Sequence, residues 1–333
     1  MIQTKLSRRM ALAGMGAASL GLSTARPAQA SIMGLVVVGG DGWLYPVWDE
    51  VRNFDQNRFN AAIKAINGAV AIMKRAGIET VISLTPVKSR TYPEFMPADF
   101  QWSPAALKRY QLSLDALRQP GTLVPDLDAA MRNARKSNSA EQFFFKTDTH
   151  WTPVGAEVCA ATLSREMLAK FRLPASAKPG VMLGEYIDMI QSKNDLFEQL
   201  PAAEKAKLGR ERYKIRREAG PSAQNASLIE DDVADVELIG NSYTQPKYGY
   251  SQAISRGLNR PVGLTWRVHQ YGSYAILLEY LKSASFKQMR PKVVIWDFEE
   301  IDMEGPPEMK DFWGEHAMAT DAFLGAVQKA VAV

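Results

Sequence analysis

Short, mainly apolar runs alternate along this chain with stretches in which apolar residues recur at helical spacing. The runs predict buried strands at 34–38, 78–84, 123–124, 143–145, 236–239 and 293–298. The spacing predicts helices at about 55–75, 103–118, 126–135 and 271–282, another that follows His150, and a helical tail from 311. This alternation of strand and helix predicts an α/β sandwich with a mainly parallel sheet.

Residues at the ends of these helices support the assignment. Gly77 is placed to end the first helix as a C′ glycine. Ser103-Pro104 and Thr152-Pro153 each put a hydroxyl capping residue directly before a proline, the residue favoured at the first helical position. We therefore expect helices that begin at both of these dipeptides.

The first thirty residues have the composition of an export signal rather than of a folded domain. It has a basic start from Lys5 to Arg9, an apolar middle from Met10 to Leu22, and a small-residue cleavage site at Ala28-Gln29-Ala30. We expect cleavage after Ala30, a periplasmic protein, and one domain over 31–333. The arginine pair resembles a twin-arginine signal, although a Sec signal and an uncleaved anchor remain alternatives.

The charge of the chain comes mostly from this leader. The sequence has 40 Lys+Arg and 36 Asp+Glu, and residues 1–30 hold four of the basic residues and no acidic one. The remaining residues therefore have 36 of each sign and are formally neutral. Such a balance favours neither nucleic acid nor an anionic lipid surface as a partner.

A single cysteine excludes an intramolecular disulfide. It is Cys159, in the helix after His150, and we interpret it as a small buried residue rather than a second nucleophile. Asp148 and His150 have no recognisable third and fourth ligand in the sequence, so we expect no metal.

Residues 191–232 are polar and dense in charge, and they interrupt the alternation of strand and helix. Seven basic residues lie between 205 and 217, interleaved with glutamates. One interpretation is a groove for an anionic polymer. The interpretation that we favour is a charged insertion that forms a solvated helix and linker.

Three residues have the types and the placement of a nucleophilic triad. Asp148 and His150 are two positions apart, which puts both side chains on one side of an extended segment. Ser242 follows a predicted strand in a Gly-Asn-Ser turn, and its backbone N–H is a natural oxyanion donor. In a parallel sheet both segments lie beyond the carboxyl ends of strands, where sites form. His150 would accept the serine proton, and Asp148 would orient the imidazole. The other histidines, His269 and His316, have no partner pattern.

Each of these residues also has an interpretation without catalysis. Ser242 fits an ordinary turn, Asp148 a capping or turn role, and His150 a ring satisfied by backbone. Trp151 fits either core packing or a platform for a sugar ring. Lys88 fits a surface or salt-bridged lysine better than a catalytic one.

A set of motifs nevertheless resembles a known family. The set comprises Gly40-Asp41-Gly42-Trp43-Leu44-Tyr45, Pro86-Val87-Lys88 with Tyr92-Pro93, Asp148-Thr149-His150-Trp151-Thr152 with Gly155, Gly240-Asn241-Ser242-Tyr243 and Val294-Ile295-Trp296-Asp297-Phe298-Glu299. It resembles the SGNH-hydrolase-like domain of the periplasmic alginate O-acetyltransferases. The resemblance implies a three-layer sandwich with a circularly permuted motif order, because the acid and base precede the serine.

The resemblance also implies site residues and partners. It implies Ser242, His150 and Asp148 as the triad, and Tyr248 and Arg267 near the oxyanion or acceptor. Asn241 departs from the small hydroxyl or aspartate that is common before the serine. No carbohydrate-binding module is expected after the last strand, which leaves alginate, acetylated cellulose or another exopolysaccharide as the acceptor.

The function that we expect is O-acetylation of an exopolysaccharide through an acetyl-serine. No cofactor is expected, since acetyl-CoA is not available outside the cytoplasm, and the resemblance implies a membrane-bound O-acyltransferase as the donor. The same triad would serve an O-acetylesterase, in which water replaces the sugar. A non-catalytic scaffold or polysaccharide-binding subunit of a secretion complex is the third alternative.

Overall fold

The structure, a computed structural model, describes residues 31–191, 193–219 and 234–332. The expected leader at 1–30 with its cleavage site, and the part of the charged stretch at 220–232, lie outside the described residues. Among the described residues, no helix combines the length and the apolar character that crossing a bilayer requires.

The elements follow one another in the mixed α/β order that the hydrophobic pattern predicts. The strands are β1 (Ser31–Met33), β2 (Val36–Val38), β3 (Leu44–Pro46), β4 (Glu79–Thr85), β5 (Leu183–Ile190), β6 (Arg212–Glu218), β7 (Val236–Gly240), β8 (Gly263–Trp266) and β9 (Val293–Glu299). The helices are α1 (Gln56–Arg75), α2 (Lys88–Thr91), α3 (Pro104–Arg118), α4 (Leu127–Ser137), α5 (Pro153–Lys170), α6 (Asp195–Glu198), α7 (Ala202–Lys205), α8 (Tyr250–Leu258), α9 (Ser273–Lys282), α10 (Ala284–Gln288), α11 (Lys310–Trp313) and α12 (Thr320–Val331).

A four-stranded parallel sheet in the order β4-β9-β7-β8 forms the centre of the domain. The last strand in the chain, β9, lies between β4 and β7 and is buried along its whole length. A strand with neighbours on both edges and helices on both faces must be apolar throughout, which explains its nearly continuous apolar sequence. The prediction of an α/β sandwich with a mainly parallel sheet is confirmed.

Alternate residues of the strands fill two separate cores, one on each face of the sheet. Ile82, Ile239 and Trp296 pack with helices α1, α9 and α12. Their neighbours in sequence point the other way and pack with α4, α5 and α8. Cys159 of α5 is fully buried in this second core, and burial raises the pKa of its thiol well above the ordinary value. It is therefore a packing residue, as its sequence context predicts.

The predicted helix ends agree with the structure. Gly77 follows α1 with a φ of 82°, a conformation that favours glycine. Ser103 caps α3 by accepting a hydrogen bond from the N–H of Ala106, and Thr152 caps α5 by accepting one from Gly155. The helix after His150 therefore begins where the Thr-Pro dipeptide places it.

The segment 143–145 is not a strand of the sheet, and this prediction was wrong. Phe144 forms a single antiparallel bridge with Trp151, while the N–H of Phe145 bonds to the carbonyl of His150 at 3.2 Å. The chain pairs with itself in a tight loop, and its phenylalanines are buried in the second core. Apolar character alone did not distinguish a sheet strand from this buried loop.

The charged stretch also differs from the solvated helix and linker that we favoured. Strands β5 and β6 form an antiparallel hairpin in which Ile187 lies opposite Ile215, with the short helices α6 and α7 between the strands. The dense charges concealed the alternating pattern of β6, in which Tyr213 packs against Phe145 with ring centroids 5.2 Å apart. The hairpin thus contacts the loop that precedes His150.

We predict that Gly155→Ala destabilises the protein because α5 begins against backbone. A Cβ at Gly155 would lie 2.1 Å from the carbonyl oxygen of Phe143, and such overpacking costs about 1–3 kcal/mol of unfolding free energy. Gly325→Ala, in α12 with nothing within 4 Å of its Cβ position, should instead stabilise by about 0.5–1 kcal/mol. Chemical denaturation of both variants checks this, and equal effects would contradict the close approach.

Candidate active site

Strand β7 delivers Ser242 on a tight turn at the carboxyl end of the sheet. Asn241 Oδ1 accepts a hydrogen bond from the N–H of Tyr243 at 2.9 Å, and Thr244 Oγ1 donates to the carbonyl of Asn241 at 2.8 Å. A Cβ at Gly240 would lie 2.4 Å from Thr244 Cγ2, so the turn needs glycine there. Ser242 is partly exposed while its neighbours are buried. The unusual Asn241 therefore fixes the turn that presents the serine.

The structure brings the three predicted triad residues into one hydrogen-bonded chain. His150 Nε2 is 2.8 Å from Ser242 Oγ, and His150 Nδ1 is 2.7 Å from Asp148 Oδ1. The same carboxylate oxygen accepts the backbone N–H of His150 at 3.0 Å. One carboxylate oxygen of Asp148 thus holds His150 at two points, the ring nitrogen Nδ1 and the backbone N–H.

The electrostatics of Asp148 suit this role. Burial by itself would raise the pKa of Asp148, but the hydrogen bond and the charge of His150 and the two backbone N–H donors lower that pKa to about 2. The group is therefore a carboxylate at neutral pH and accepts the proton on Nδ1. Nε2 is left as the acceptor for the hydroxyl of Ser242.

Lys88 is an anchor of the triad loop and not a surface lysine, so that prediction was wrong. Its side chain is buried, and Nζ donates to the carbonyls of Lys146 at 2.8 Å and Asp148 at 2.9 Å. Burial lowers the pKa of Lys88 to about 8, although the neighbouring carboxylates oppose this shift. The sequence offered only the residue type, because the loop that Lys88 binds lies far along the chain.

Trp151 is part of the support beneath the triad. It has no exposed surface, so the interpretation as a sugar platform was wrong, because a stacking ring must be accessible. Its indole N–H donates to the carbonyl of Tyr243 at 3.0 Å, and the hydroxyl of Tyr243 donates to the carbonyl of Thr149 at 2.9 Å. These two bonds connect the serine turn to the histidine loop in both directions.

The structure brings Tyr248 to the triad, but it gives Arg267 a different surrounding. The ring of Tyr248 stacks on His150 with centroids 5.0 Å apart, and its buried hydroxyl has no hydrogen-bond partner among the described residues. The backbone N–H of Arg267 bonds to the carbonyl of Gly240 at 3.2 Å, while its guanidinium pairs with Glu279. Roles of both residues toward a substrate remain predictions.

Two acidic residues of the hairpin region were missed by the sequence analysis. The backbone N–H of Asp195 donates to Asp148 Oδ2 at 3.0 Å. Glu211 accepts from the hydroxyl of Thr147 at 2.8 Å and from the backbone N–H of Lys146. Their position within a charge-dense stretch gave no sign of these contacts. The segment interpreted as a solvated insertion is therefore one wall of the site.

His269 also has a partner that the sequence did not reveal. Its Nε2 is 2.8 Å from Asp302 Oδ1, and Asp302 Oδ2 accepts the backbone N–H of Glu299 at the end of β9. Burial would lower the pKa of His269, but the charges of Asp302 and Glu299 raise it to about 9. The pair is an ion pair that closes the turn after β9.

Donor atoms of Asp148, His150 and Asp195 all lie within 4.8 Å of one another, so the structure supplies a third possible metal ligand that the sequence did not reveal. The atoms are nevertheless already engaged. Asp148 Oδ1 and His150 Nδ1 bind each other, Asp148 Oδ2 accepts a backbone N–H, and His150 Nε2 faces Ser242. This donor set has the geometry of a proton-transfer chain.

A cavity of about 770 Å³ lies beside the triad loop, between the hairpin region and the loop before β3. It is lined by Lys146 and Thr147 of the triad loop and by Arg210 and Arg212 of the hairpin region. Both arginines are exposed, and neither has an ion-pair partner among the residues that the structure describes. The lining also holds Lys207 and three acidic residues, Asp41, Glu204 and Glu211, so its basic residues exceed the acidic ones by one among the described residues.

Comparison with known proteins gives consistent results. Residues 36–300 match the family described as the SGNH hydrolase-like domain of the acetyltransferase AlgX. The probable alginate O-acetylase AlgJ of Pseudomonas syringae pv. tomato is 30% identical over 288 residues, which are 83% of this chain and 71% of the relative. The AlgJ of Pseudomonas aeruginosa is 27% identical over 295 residues, which are 83% and 72% of the two chains.

Solved structures show the same fold. The O-acetyltransferase domain of Pseudomonas putida AlgJ superposes with a TM-score of 0.69 at 24% identity, over 89% of this chain and 99% of that chain. Pseudomonas aeruginosa AlgX superposes with a TM-score of 0.62 at 18% identity, over 88% of this chain and 66% of that chain.

We predict that Lys88→Met lowers kcat/KM by about tenfold or more, because the carbonyls of Lys146 and Asp148 lose their buried donor and release the loop. Steady-state hydrolysis of an acetyl ester measures this, with the exposed Lys64→Met as the control.

The stability of the protein should also depend on pH through Lys88. The pKa of Lys88 is about 8 in the folded protein against an ordinary 10.5. The unfolded chain therefore binds more protons between these values. The unfolding free energy of the wild type relative to Lys88→Met should rise from pH 8 to 10.5, and a flat difference would contradict the buried ammonium.

Proposed function

The chain belongs to the family of SGNH hydrolase-like acetyltransferase domains and is a polysaccharide O-acetyltransferase. We propose that Ser242, His150 and Asp148 are its catalytic triad. The observation that carries the proposal is the continuous chain of two short hydrogen bonds, 2.8 Å from Ser242 Oγ to Nε2 and 2.7 Å from Nδ1 to Asp148 Oδ1. Nucleophile, base and orienting acid are thus in hydrogen-bond reach of one another.

In the first half-reaction Ser242 Oγ attacks the carbonyl carbon of an acetyl ester while its proton passes to His150 Nε2. The new C–O bond forms as the carbonyl π electrons move to the oxygen. When that tetrahedral intermediate collapses, the bond to the donor alcohol breaks and the imidazolium returns the proton to the leaving oxygen. Asp148 stays ionised throughout, in accordance with its low pKa, and stabilises the imidazolium.

In the second half-reaction a hydroxyl of the polysaccharide takes the place of the donor alcohol. His150 removes its proton, the sugar oxygen attacks the acetyl-serine, and the bond to Ser242 Oγ breaks as the serine regains a proton. Ser242 begins a 3-10 turn, Ser242–Thr244, and the first N–H groups of a helical turn lack partners within the turn. We propose its N–H as an oxyanion donor, and Tyr248, which stacks on the base, as a contact of the acceptor.

The acceptor that we propose is alginate, because the relatives similar to this chain are named alginate O-acetylases. Alginate is a polymer of uronic acids and carries a carboxylate on each sugar. Arg210 and Arg212 line the cavity beside the triad loop and have no ion-pair partner among the described residues, so their charge suits such a polyanion. This arrangement favours a groove for an anionic polymer, the alternative to a solvated helix and linker.

We propose that the reaction takes place in the periplasm and that a membrane-bound O-acyltransferase supplies the acetyl groups. The support is the composition of the first thirty residues, which resembles that of an export signal, together with the need for an acetyl donor other than cytoplasmic acetyl-CoA. No cofactor is needed for the two half-reactions, since the chain's own residues move the protons.

We predict that Ser242→Ala lowers acetyl transfer at least about a thousandfold, because the other triad members have no nucleophile to activate. Residues 31–333 are mixed with p-nitrophenyl acetate and a panel of alginate and cellulose oligosaccharides, and acetylated products are measured by mass spectrometry. Ser285→Ala, an exposed serine of α10, is the matched control and should leave transfer unchanged.

The other outcomes of this experiment identify the alternatives. Free acetate that depends on Ser242, without any acetylated sugar, is the result expected of an O-acetylesterase. Equal turnover by the wild type and Ser242→Ala would overturn the triad, and absence of turnover together with oligosaccharide binding would favour a non-catalytic binding subunit.

We predict that the double variant Arg210→Gln and Arg212→Gln raises KM for alginate oligosaccharides about tenfold and leaves hydrolysis of p-nitrophenyl acetate unchanged, because the arginines line the cavity and not the triad. The difference should shrink as ionic strength increases. Lys108→Gln with Lys282→Gln, both exposed and outside the hairpin, controls for net charge. An equal effect of the control pair would show that the cavity has no special role.

A further inference from the structure

A second carboxylate lies beside the imidazole of His150. Asp195 Oδ2 is 3.8 Å from His150 Nδ1, the nitrogen that faces Asp148 Oδ1 at 2.7 Å. Asp148 belongs to the loop before α5, whereas Asp195 is the first residue of α6, between the two strands of the hairpin. Two separate parts of the chain thus place negative charge against the same ring nitrogen.

The Asp195 side chain is held in this position by backbone groups. Its Oδ1 accepts the N–H of Thr149 and that of Leu196, each at 2.7 Å. Its own N–H donates to Asp148 Oδ2 at 3.0 Å. Because Oδ1 is engaged by the backbone on both sides, Oδ2 is the oxygen that faces the imidazole.

We propose that Asp195 is a positioning residue of the acetyl-transfer reaction, a second negative charge that stabilises the His150 imidazolium formed when Ser242 or the acceptor hydroxyl loses its proton. The inference rests on the proposed triad. It gives the hairpin region a part in the chemistry, because α6 of that region places a second carboxylate near the imidazole of His150.

The size of the effect follows from exposure. Asp148 is buried and bonds directly to Nδ1, and its loss should cost about a thousandfold or more in rate. The Asp195 side chain is 38% exposed, so water screens a charge that is also more distant. We therefore expect a contribution of about tenfold, smaller than that of Asp148 but measurable.

Asp195→Asn is the informative substitution, because asparagine keeps an oxygen for Thr149 and Leu196 and removes the charge. Hydrolysis of p-nitrophenyl acetate is measured from pH 5 to 9. We expect kcat/KM to fall about tenfold on the plateau, and the acidic limb of the profile to move to lower pH, since the imidazolium loses a stabilising charge. Asp195→Glu restores the charge and should recover part of the rate.

The control is Asp188→Asn, which removes one negative charge from the exposed face of β5 in the same hairpin. It should leave both the rate and the pH profile unchanged. If Asp195→Asn behaves like the wild type while Asp195→Ala loses activity, Asp195 is only an acceptor for the loop backbone, and the proposal is overturned. A chelator or added Ca²⁺ that alters the wild type but not Asp195→Asn would likewise replace it with an ion-binding role.

Ser242→Ala, measured in parallel, separates this inference from the proposed function. Loss of turnover in Ser242→Ala with an unchanged Asp195→Asn overturns the role of Asp195 alone. Retained turnover in Ser242→Ala overturns the triad itself, whatever the behaviour of the Asp195 variants.

Discussion

The active site depends on one constraint: the loop that carries Asp148 and His150 must hold a fixed shape without belonging to the sheet. A strand of the sheet would receive its order from neighbouring strands, whereas this loop has the isolated Phe144–Trp151 bridge and single backbone bonds, such as those from the N–H of Leu44 to the carbonyl of Lys146 and from the N–H of Phe197 to the carbonyl of Thr147. Side chains supply further order: the buried Lys88 binds carbonyls of the loop, and the partly buried Glu211 accepts hydrogen bonds from the N–H groups of Lys146 and Thr147. The two short bonds of the triad are possible because both ends of this loop are fixed.

Buried charge connects that loop to the central strand of the fold. Helix α2 carries Lys88, and its next two residues bind buried acids. The backbone N–H of Ser89 donates to Asp49 Oδ2 at 3.1 Å, and the guanidinium of Arg90 pairs with Glu300 at 2.6 Å. Burial would raise the pKa of Glu300, but its two arginine partners lower it, so the pair remains ionic. Glu300 follows β9 directly. The central strand β9 thereby fixes α2, and α2 in turn fixes the loop that carries Asp148 and His150. Removal of one partner of such a buried ion pair typically costs about 3–5 kcal/mol of unfolding free energy.

Sequence reasoning succeeded where the signal was local and failed where a partner came from a distant segment. Strands β4, β7 and β9 and the caps of α3 and α5 follow from periodicity and from Ser-Pro and Thr-Pro pairs, which act within one turn of the chain. Lys88 was misassigned because its partners are backbone carbonyls 58 and 60 residues away. The sequence left Trp151 open between core packing and a sugar platform, because a tryptophan beside His150 is compatible with either burial or exposure. The charges of β6 concealed its alternation, and the hairpin was missed.

The sequence alone was enough to predict the fold class, the turn that presents Ser242 and the three residues that we propose as the triad. These depend on residue type, short spacing and hydrophobic period, which are properties of a segment and its neighbours in the chain. Only the tertiary structure decided that Lys88 is buried, that Trp151 is a support, and that Asp195 lies 3.8 Å from the ring of His150. These are contacts between segments far apart in the sequence. Their existence depends on how the hairpin and α2 pack around the loop, and no local pattern of residues encodes that packing.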